Sequence, residues 1–527
     1  MDETEADQLA VIDEAIPAAE DTVTTPEAKK DGNEPKPATL RGTLIKVGIP
    51  ILVALLVAFA IPHPAGLDIR AWYYFALFVG IIVGVALEAL PMGAIGLIGV
   101  CLISLLGLYG KVGDSGFTKA GASDTLTWAL SGFSNSVVWI VFAAMIFAVA
   151  LKSSGIGTRI ALLLIRVLGK TSLGLGYAFC FADFILGPFV PSNTARSFGT
   201  IYPIARSTAE ALDSHPDSPS SKKIGSFLMF NSFVCTFISS STFLTAAAMT
   251  ILGVQYISEA SGLPPLGWMS YLVGYIPQAI ILLAITPLIA QRFFKPTQTR
   301  FPEAPVWAHE ELKKMGRLTS KEITTLVVFL AALCSWMFLT SYISTTMTAL
   351  VAVALLIVTR VIDWEDLIAE KSAWNILIVL GALITLANGL RDVGFLSWVS
   401  QASADQMIKL AIPAVGIIII LVVIDYVLHY LYVSITAHVS TLLPLWLAVV
   451  AAIPGFPVQL FGIVMIHTKE GYGALTPYGA GHGVGYMLSG YFEDHKQFWK
   501  AQSAWAYIYL GLMLVSIPYW VWIYGWK

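Results

Sequence analysis

The sequence predicts an all-α polytopic membrane protein with about eleven transmembrane helices and two re-entrant hairpins arranged as an inverted repeat. Three observations carry this. Of 527 residues, 57% are hydrophobic and only 12% charged, with mean hydropathy +0.75, whereas a soluble domain has about 25% charged residues. Apolar runs close to the roughly 20 residues that cross a bilayer recur along the chain. Two further regions, 172–205 and 408–446, are apolar but broken by Pro, Gly, Ser and Asn. Each is too interrupted for one span and too apolar for a loop.

Residues 1–40 hold eleven Asp or Glu against three Lys. Such a segment buries too little apolar surface to fold, and reads as a disordered acidic cytoplasmic tail. Its acidity fits neither a signal peptide nor a transit peptide, so the first apolar run reads as a retained helix. Spans are expected near 44–61, 71–88, 92–109, 135–151, 224–253, 268–290, 322–340, 344–360, 373–390, 447–466 and 502–524. They divide into a first half (44–290) with hairpin 172–205, a basic cytoplasmic linker (291–321), and a second half (322–527) with hairpin 408–446. Net charge −3 argues against nucleic acid as a partner. Cys101, Cys180, Cys235 and Cys334 show neither metal spacing nor a disulfide framework and read as small core residues.

Charge sets the orientation. With a cytoplasmic N-terminus and an external C-terminus, 24 Lys/Arg fall inside, Lys469 among them, and six outside, as the positive-inside rule requires. The first hairpin then enters from the cytoplasm and the second from outside. AVALKSSG (Ala148–Gly155) aligns with ANGLRDVG (Ala387–Gly394), each about 40 residues before a hairpin tip. A polar break follows each hairpin, at FISSSTFLTAAA (Phe237–Ala248) and GALTPYGAG (Gly473–Gly481). Inverted repeats of this kind are built into secondary transporters, with the site near the midplane.

Ser192, Asn193 and Thr194 follow Pro191 at the first tip, and Ser434 and Thr436 occupy the second. Hydroxyls, an amide and helix ends can hold a carboxylate or Na⁺ without a buried full charge; Ser192 and Asn193 are the candidate sodium ligands. An ordinary capped turn is the plainer reading of PSNT, and the matching second tip argues against it. Ionisable residues at membrane depth mark functional sites by default. Arg196 could clamp a substrate carboxylate or pair structurally with Asp183. His438 could be a cationic donor to a second carboxylate or a neutral group satisfying hairpin backbone; His429 reads as structural. Thr245 and Thr476, at the polar breaks, read as substrate or ion contacts, against the plainer back-bond to their own helix. No metal-ligand spacing is present.

These residues resemble the divalent anion/sodium symporter family, and within it the branch of 2-oxoglutarate/malate translocators and citrate or tartrate/succinate antiporters. PSNTAR (Pro191–Arg196) and HYLYVSITAH (His429–His438) are similar to that branch's two tip motifs. LEALPMGAIGL (Leu87–Leu97) and GALTPYGAG with the following SGY and FWK also look like it. The resemblance covers about 44–525. It implies a homodimer whose protomers each have a scaffold and a mobile transport domain, elevator-like alternating access, and carboxylates held at both tips. One departure stands out: Ile435 occupies the middle of the second motif, where the symporters have Asn, which removes an oxygen from the second sodium site.

Importing a dianion against 100 mV costs about 4.6 kcal/mol, which a symporter must offset with cations and an exchanger of dianions need not. The sequence therefore predicts exchange of small di- or tricarboxylates (succinate, malate, 2-oxoglutarate type) across a bacterial inner membrane, with no cofactor unless Na⁺. A sodium-coupled dicarboxylate or sulfate symporter, a channel, and a membrane-embedded hydrolase using Asp183 or His429 with Ser192 are the competing readings. The hydrolase lacks a nucleophile elbow and acid–base spacing, so a non-enzyme is expected.

Overall fold

The computed structural model describes residues 40–87, 89–113, 116–409 and 412–526. The acidic tail expected at 1–40 lies, up to residue 39, outside the described residues. Lys46–Lys527 is one compact unit. Among the described residues its regular structure is helical apart from one short antiparallel strand pair, β1 (Gly110–Gly113) and β2 (Gly116–Lys119), registered Lys111 opposite Thr118, and an isolated bridge between Thr171 and Arg300.

The first half runs α1 (Leu40–Leu55), α2 (Ile69–Ala86), α3 (Met92–Leu105), α4 (Ala122–Ser131) and α5 (Ser136–Ser154). It continues with α6 (Ile156–Leu168), α7 (Ser172–Leu186), α8 (Tyr202–Ala211), α9 (Gly225–Thr242), α10 (Ala248–Ser261) and α11 (Trp268–Phe293). The basic linker contains α12 (Glu303–Met315). The second half runs α13 (Ser320–Phe338), α14 (Thr345–Val358), α15 (Trp364–Ala369), α16 (Lys371–Asp392), α17 (Phe395–Lys409) and α18 (Ala414–Leu428). It closes with α19 (Ile435–Ala451), α20 (Val458–Tyr472), α21 (Gly483–Met487), α22 (His495–Val515) and α23 (Ile517–Tyr524).

Among the described residues, six helical segments are long and apolar enough to cross a membrane, or seven with α22 and α23, which meet at a 44° bend. Shorter apolar helices, α1 to α3, α14 and α19, accompany them. Their outward faces are apolar: Phe59, Leu105, Val358 and Trp522 are 72%, 83%, 78% and 78% exposed. Side chains of this kind at such exposure need lipid as their solvent. The chain is a multi-pass membrane protein.

Local chemistry sets many of the boundaries. Asn135, Thr171, Ser344 and Ser434 cap their helices with side-chain oxygens, filling acceptors that the first turn lacks. Thr319 and Glu322 form a reciprocal capping box. Gly155 and Gly394, equivalent in the two aligned octapeptides, both have left-handed backbone, φ +76° and +81°. A side chain would strain both positions.

Two expectations fail here. The span at 447–466 straddles a break: α19 ends at Ala451 and α20 begins at Val458, because Pro454, Gly455 and Pro457 interrupt the run. Cys180 and Cys235 are not free core residues but a disulfide joining α7 to α9, with Cα atoms 5.4 Å apart. The 55 residues between them hide the adjacency of the two helices from any spacing rule.

The halves share a local plan. The 15-residue α7 is followed by a tight turn (Gly187–Phe189), an extended Val190, and a wide helical turn, Thr194–Ile201, leading into α8. The 15-residue α18 is followed by a tight turn (His429–Leu431), an extended Tyr432, and α19. A broken helix succeeds each: α9 and α10 separated by Phe243–Ala247, and α20 and α21 separated by Gly473–His482.

Candidate functional site

Four of these breaks meet at one cavity of about 380 Å³, lined by Pro191–Thr194, Ala247–Met249, Val433–Thr436, Ala480–His482 and Glu470, with Met92, Val141, Met145, Ser372, Asn375 and Ile376. The helices beginning at Thr194, Ala248 and Ile435 start at its wall. Their N-terminal ends carry partial positive charge and unsatisfied N–H groups, so the cavity is built to attract an anion.

The tips are alike in detail. Ser192 Oγ accepts from Ala195 N at 3.2 Å, and Ser434 Oγ accepts from Ala437 N at 3.3 Å. The next turn closes the same way, Arg196 N to Ser192 O at 2.9 Å and His438 N to Ser434 O at 3.1 Å. Of the predicted site residues, Ser192, Asn193, Thr194, Ser434 and Thr436 line the cavity.

Arg196, His438, Thr245 and Thr476 are outside this lining. Arg196 is fully buried behind the first tip. Nε meets Asp183 at 3.0 Å; Nη1 meets the Val190 and Ala246 carbonyls at 2.6 and 3.2 Å; Nη2 meets Thr236 O, Thr236 Oγ1 and Ser240 Oγ at 3.0, 2.9 and 2.6 Å. Every N–H of the guanidinium is engaged, so the carboxylate clamp gives way to the structural reading. Thr245 donates to Pro188 O at 2.7 Å, tying the broken helix to the first tip. Thr476 is buried and its hydroxyl has no partner among the described residues.

Behind the second tip, His438 is also fully buried. Its Nε2 meets Asp425 Oδ1 at 2.9 Å and its Nδ1 meets His429 Nδ1 at 2.8 Å; His429 Nε2 meets Gly479 O at 3.0 Å. Which atom donates in each contact depends on the tautomers of the two rings. Asp425 also accepts from Trp446 Nε1 at 2.7 Å and Tyr472 OH at 2.5 Å, with Lys469 Nζ 3.9 Å away, as suits a carboxylate. His438 therefore belongs to a buried relay, not to the cavity wall. Lys469, placed among cytoplasmic loop charges by the sequence, is fully buried on α20 instead.

The family model described as the sodium:sulfate symporter transmembrane region matches residues 43–526. The chain belongs to the sodium:sulfate symporter family. Within it, the chain is 38% identical over 469 residues to the citrate/succinate antiporter of Escherichia coli K12, covering 88% of this chain and 95% of that protein. It is 36% identical over 478 residues to the L-tartrate/succinate antiporter of the same strain, covering 90% and 96%. These relatives are antiporters, not enzymes. Among solved structures, the Alcanivorax borkumensis YdaH transporter superposes with TM-score 0.53 at 13% identity, over 82% of this chain and 96% of that one. The Neisseria gonorrhoeae MtrF pump gives 0.53 at 11%, over 90% and 97%. At these identities the likeness concerns the fold alone.

Sequence reasoning missed four polar members of this cavity, Ser372, Asn375, Glu470 and His482. Glu470 accepts from Asn193 Nδ2 at 2.9 Å, and Asn193 in turn accepts from Ser240; His482 lines the cavity beside Gly481. Lys469–Glu470 reads as a loop because two adjacent charges end an apolar run. The ionisable pair inside α20 was the available signal.

Proposed function

We propose that the chain is a secondary transporter that exchanges small di- or tricarboxylates across the bacterial inner membrane. The observation that carries this is the convergence of both tip motifs and three helix N-termini on one cavity. Serine and threonine hydroxyls with helix-end amides bind carboxylates without a buried counter-charge in the wall. The names of the antiporter relatives support the substrate class.

Exchange rather than sodium symport follows from what sits behind the tips. The carbonyls of Val190, Thr236 and Ala246 are the oxygen ligands a cation would use between the first tip and its broken helix, and Arg196 already meets them. The His429–His438 pair holds the equivalent place behind the second tip, and Ile435 supplies no oxygen there. Arg196, a fixed positive group, does the work of a bound cation behind the first tip, which leaves Ser192 and Asn193 to substrate.

The finer architecture is proposed in the same terms. Regions 172–205 and 408–446 are re-entrant hairpins of opposite orientation. Eleven spans remain, with α20 and α21 replacing the 447–466 segment. Each protomer of a homodimer moves its hairpins, as a transport domain, against a scaffold, with the N-terminus in the cytoplasm and the C-terminus outside.

The test is reconstitution in liposomes. Labelled succinate should enter only vesicles preloaded with a dicarboxylate, with the same rate in Na⁺ and K⁺. Uptake into empty vesicles driven by a sodium gradient would establish symport instead.

A further inference from the structure

We infer that Glu470 and His482 form a second subsite within the cavity, one that reads a hydroxyl group beside a substrate carboxylate. The inference rests on the carboxylate reading above and adds to it the class of acid preferred.

Glu470 is fully buried, and His482 is 1% exposed; both line the cavity. Asn193 fixes one Glu470 oxygen, Oε2, at 2.9 Å. The other, Oε1, has no partner among the described residues, and neither ring nitrogen of His482 has one. A buried polar atom left unmade costs about 1–3 kcal/mol, so native proteins satisfy almost all of them. In a cavity that binds a polar ligand, the ligand is the natural partner.

The two groups differ in what they ask for. The Glu470 oxygen accepts, and the His482 ring has an N–H to give. A plain dicarboxylate presents only acceptors; it answers the histidine and brings no donor to Glu470 Oε1. A 2-hydroxy acid carries an O–H next to a carboxylate and answers both at once. The tip hydroxyls of Ser192, Thr194, Ser434 and Thr436 remain for the other carboxylate. Glu470 belongs to the second half of the chain and Asn193 to the first, so this subsite is complete only when the first tip is seated against α20.

The experiment uses the full-length protein in proteoliposomes, exchanging labelled succinate against external malate, tartrate or unlabelled succinate. In the wild type, malate and tartrate compete better than succinate. Glu470→Gln, which puts an amide donor where the hydroxyl needs an acceptor, lowers that preference about tenfold. An unchanged ratio in E470Q overturns the subsite, and so does an unchanged ratio accompanied by loss of pH dependence, which would make the carboxyl a proton carrier. If E470Q does not fold, thermal stabilisation of the wild type decides. Malate should protect more than succinate at equal concentration, and equal protection overturns the subsite. If the wild type exchanges neither acid, the carboxylate reading itself has failed. If it exchanges both and E470Q keeps the ratio, only the subsite has.

Discussion

Asp425 accepts a hydrogen bond from His438 at 2.9 Å across thirteen residues and a break in the helix, and Asp183 stands in the same relation to Arg196 at 3.0 Å across the same separation. Each acid lies in the last turns of the limb entering a tip. Each base lies four residues past the tip serine. The repeat thus preserves an acid–base brace behind each tip while changing the base. The brace holds the serine-capped turn in place.

Arg196 should be a stability residue before it is a transport residue. Arg196→Ala takes the guanidinium away from Asp183 and three carbonyl groups, and breaking a buried pair from one side costs about 3–5 kcal/mol. The expected result is a large drop in melting temperature in detergent. Arg196→Gln, which empties part of the oxygen cage without a full cavity, should melt higher in Na⁺ than in K⁺, a difference the wild type should not show.

Asp425 and Lys469 lie 3.9 Å apart but should not be equal. Asp425 gathers donors from His438, Trp446 and Tyr472, whereas Lys469 Nζ has no hydrogen bond among the described residues. Asp425→Asn forces one of those contacts to clash and removes the carboxylate that His438 and Lys469 face. Lys469→Met keeps the stem's packing and loses only a distant attraction. Melting temperatures should therefore fall clearly for D425N and little for K469M.

Much of this plan is legible in the sequence, and the rest is hidden for stated reasons. Serine, threonine and asparagine flanked by proline in an apolar run mark both tips, because hydroxyl caps and helix breaks are local chemistry. The inward-facing braces are not local. Arg196 finds Thr236, Ser240 and Ala246 forty to fifty residues on, and only packing α9 against the Thr194–Ile201 turn brings them together. Lys469–Glu470 misled because a charged pair at the end of an apolar run is usually a solvated face. Here α20 is buried from Gln459 to Tyr472, and the two charges point into different networks. The Cys180–Cys235 bond was invisible for the same reason as the Arg196 cage.

A further buried pair ties the first half to the start of the second. Arg159 on α6 meets Glu322 through Nε at 2.5 Å and Nη2 at 3.1 Å, and also donates to the Gly316 carbonyl at 3.1 Å. Glu322→Ala should cost about 3–5 kcal/mol, since it strands the guanidinium and also removes the Thr319 capping box. The apolar double variant R159M/E322L should recover most of that loss, because charges of similar volume are often replaceable by well-packed apolar groups. Thermal unfolding of the single and double variants measures the difference.

The four tip hydroxyls should separate into two kinds. Ser192 and Ser434 spend an oxygen on capping the next turn, at 3.2 and 3.3 Å. Their alanine variants should lose about 1 kcal/mol of stability as well as substrate affinity. Thr194 and Thr436 line the cavity, and their hydroxyls make no hydrogen bond to protein among the described residues. Valine at either position keeps the shape and removes only the group offered to the ligand. One lost hydrogen bond to a carboxylate, at about 1.5 kcal/mol, corresponds to roughly tenfold in affinity. T194V and T436V should therefore raise the KM for succinate exchange about tenfold with the melting temperature nearly unchanged, whereas S192A and S434A should move both. Equal effects of all four on melting and none on KM would show that the tips serve the fold and that substrate binds elsewhere.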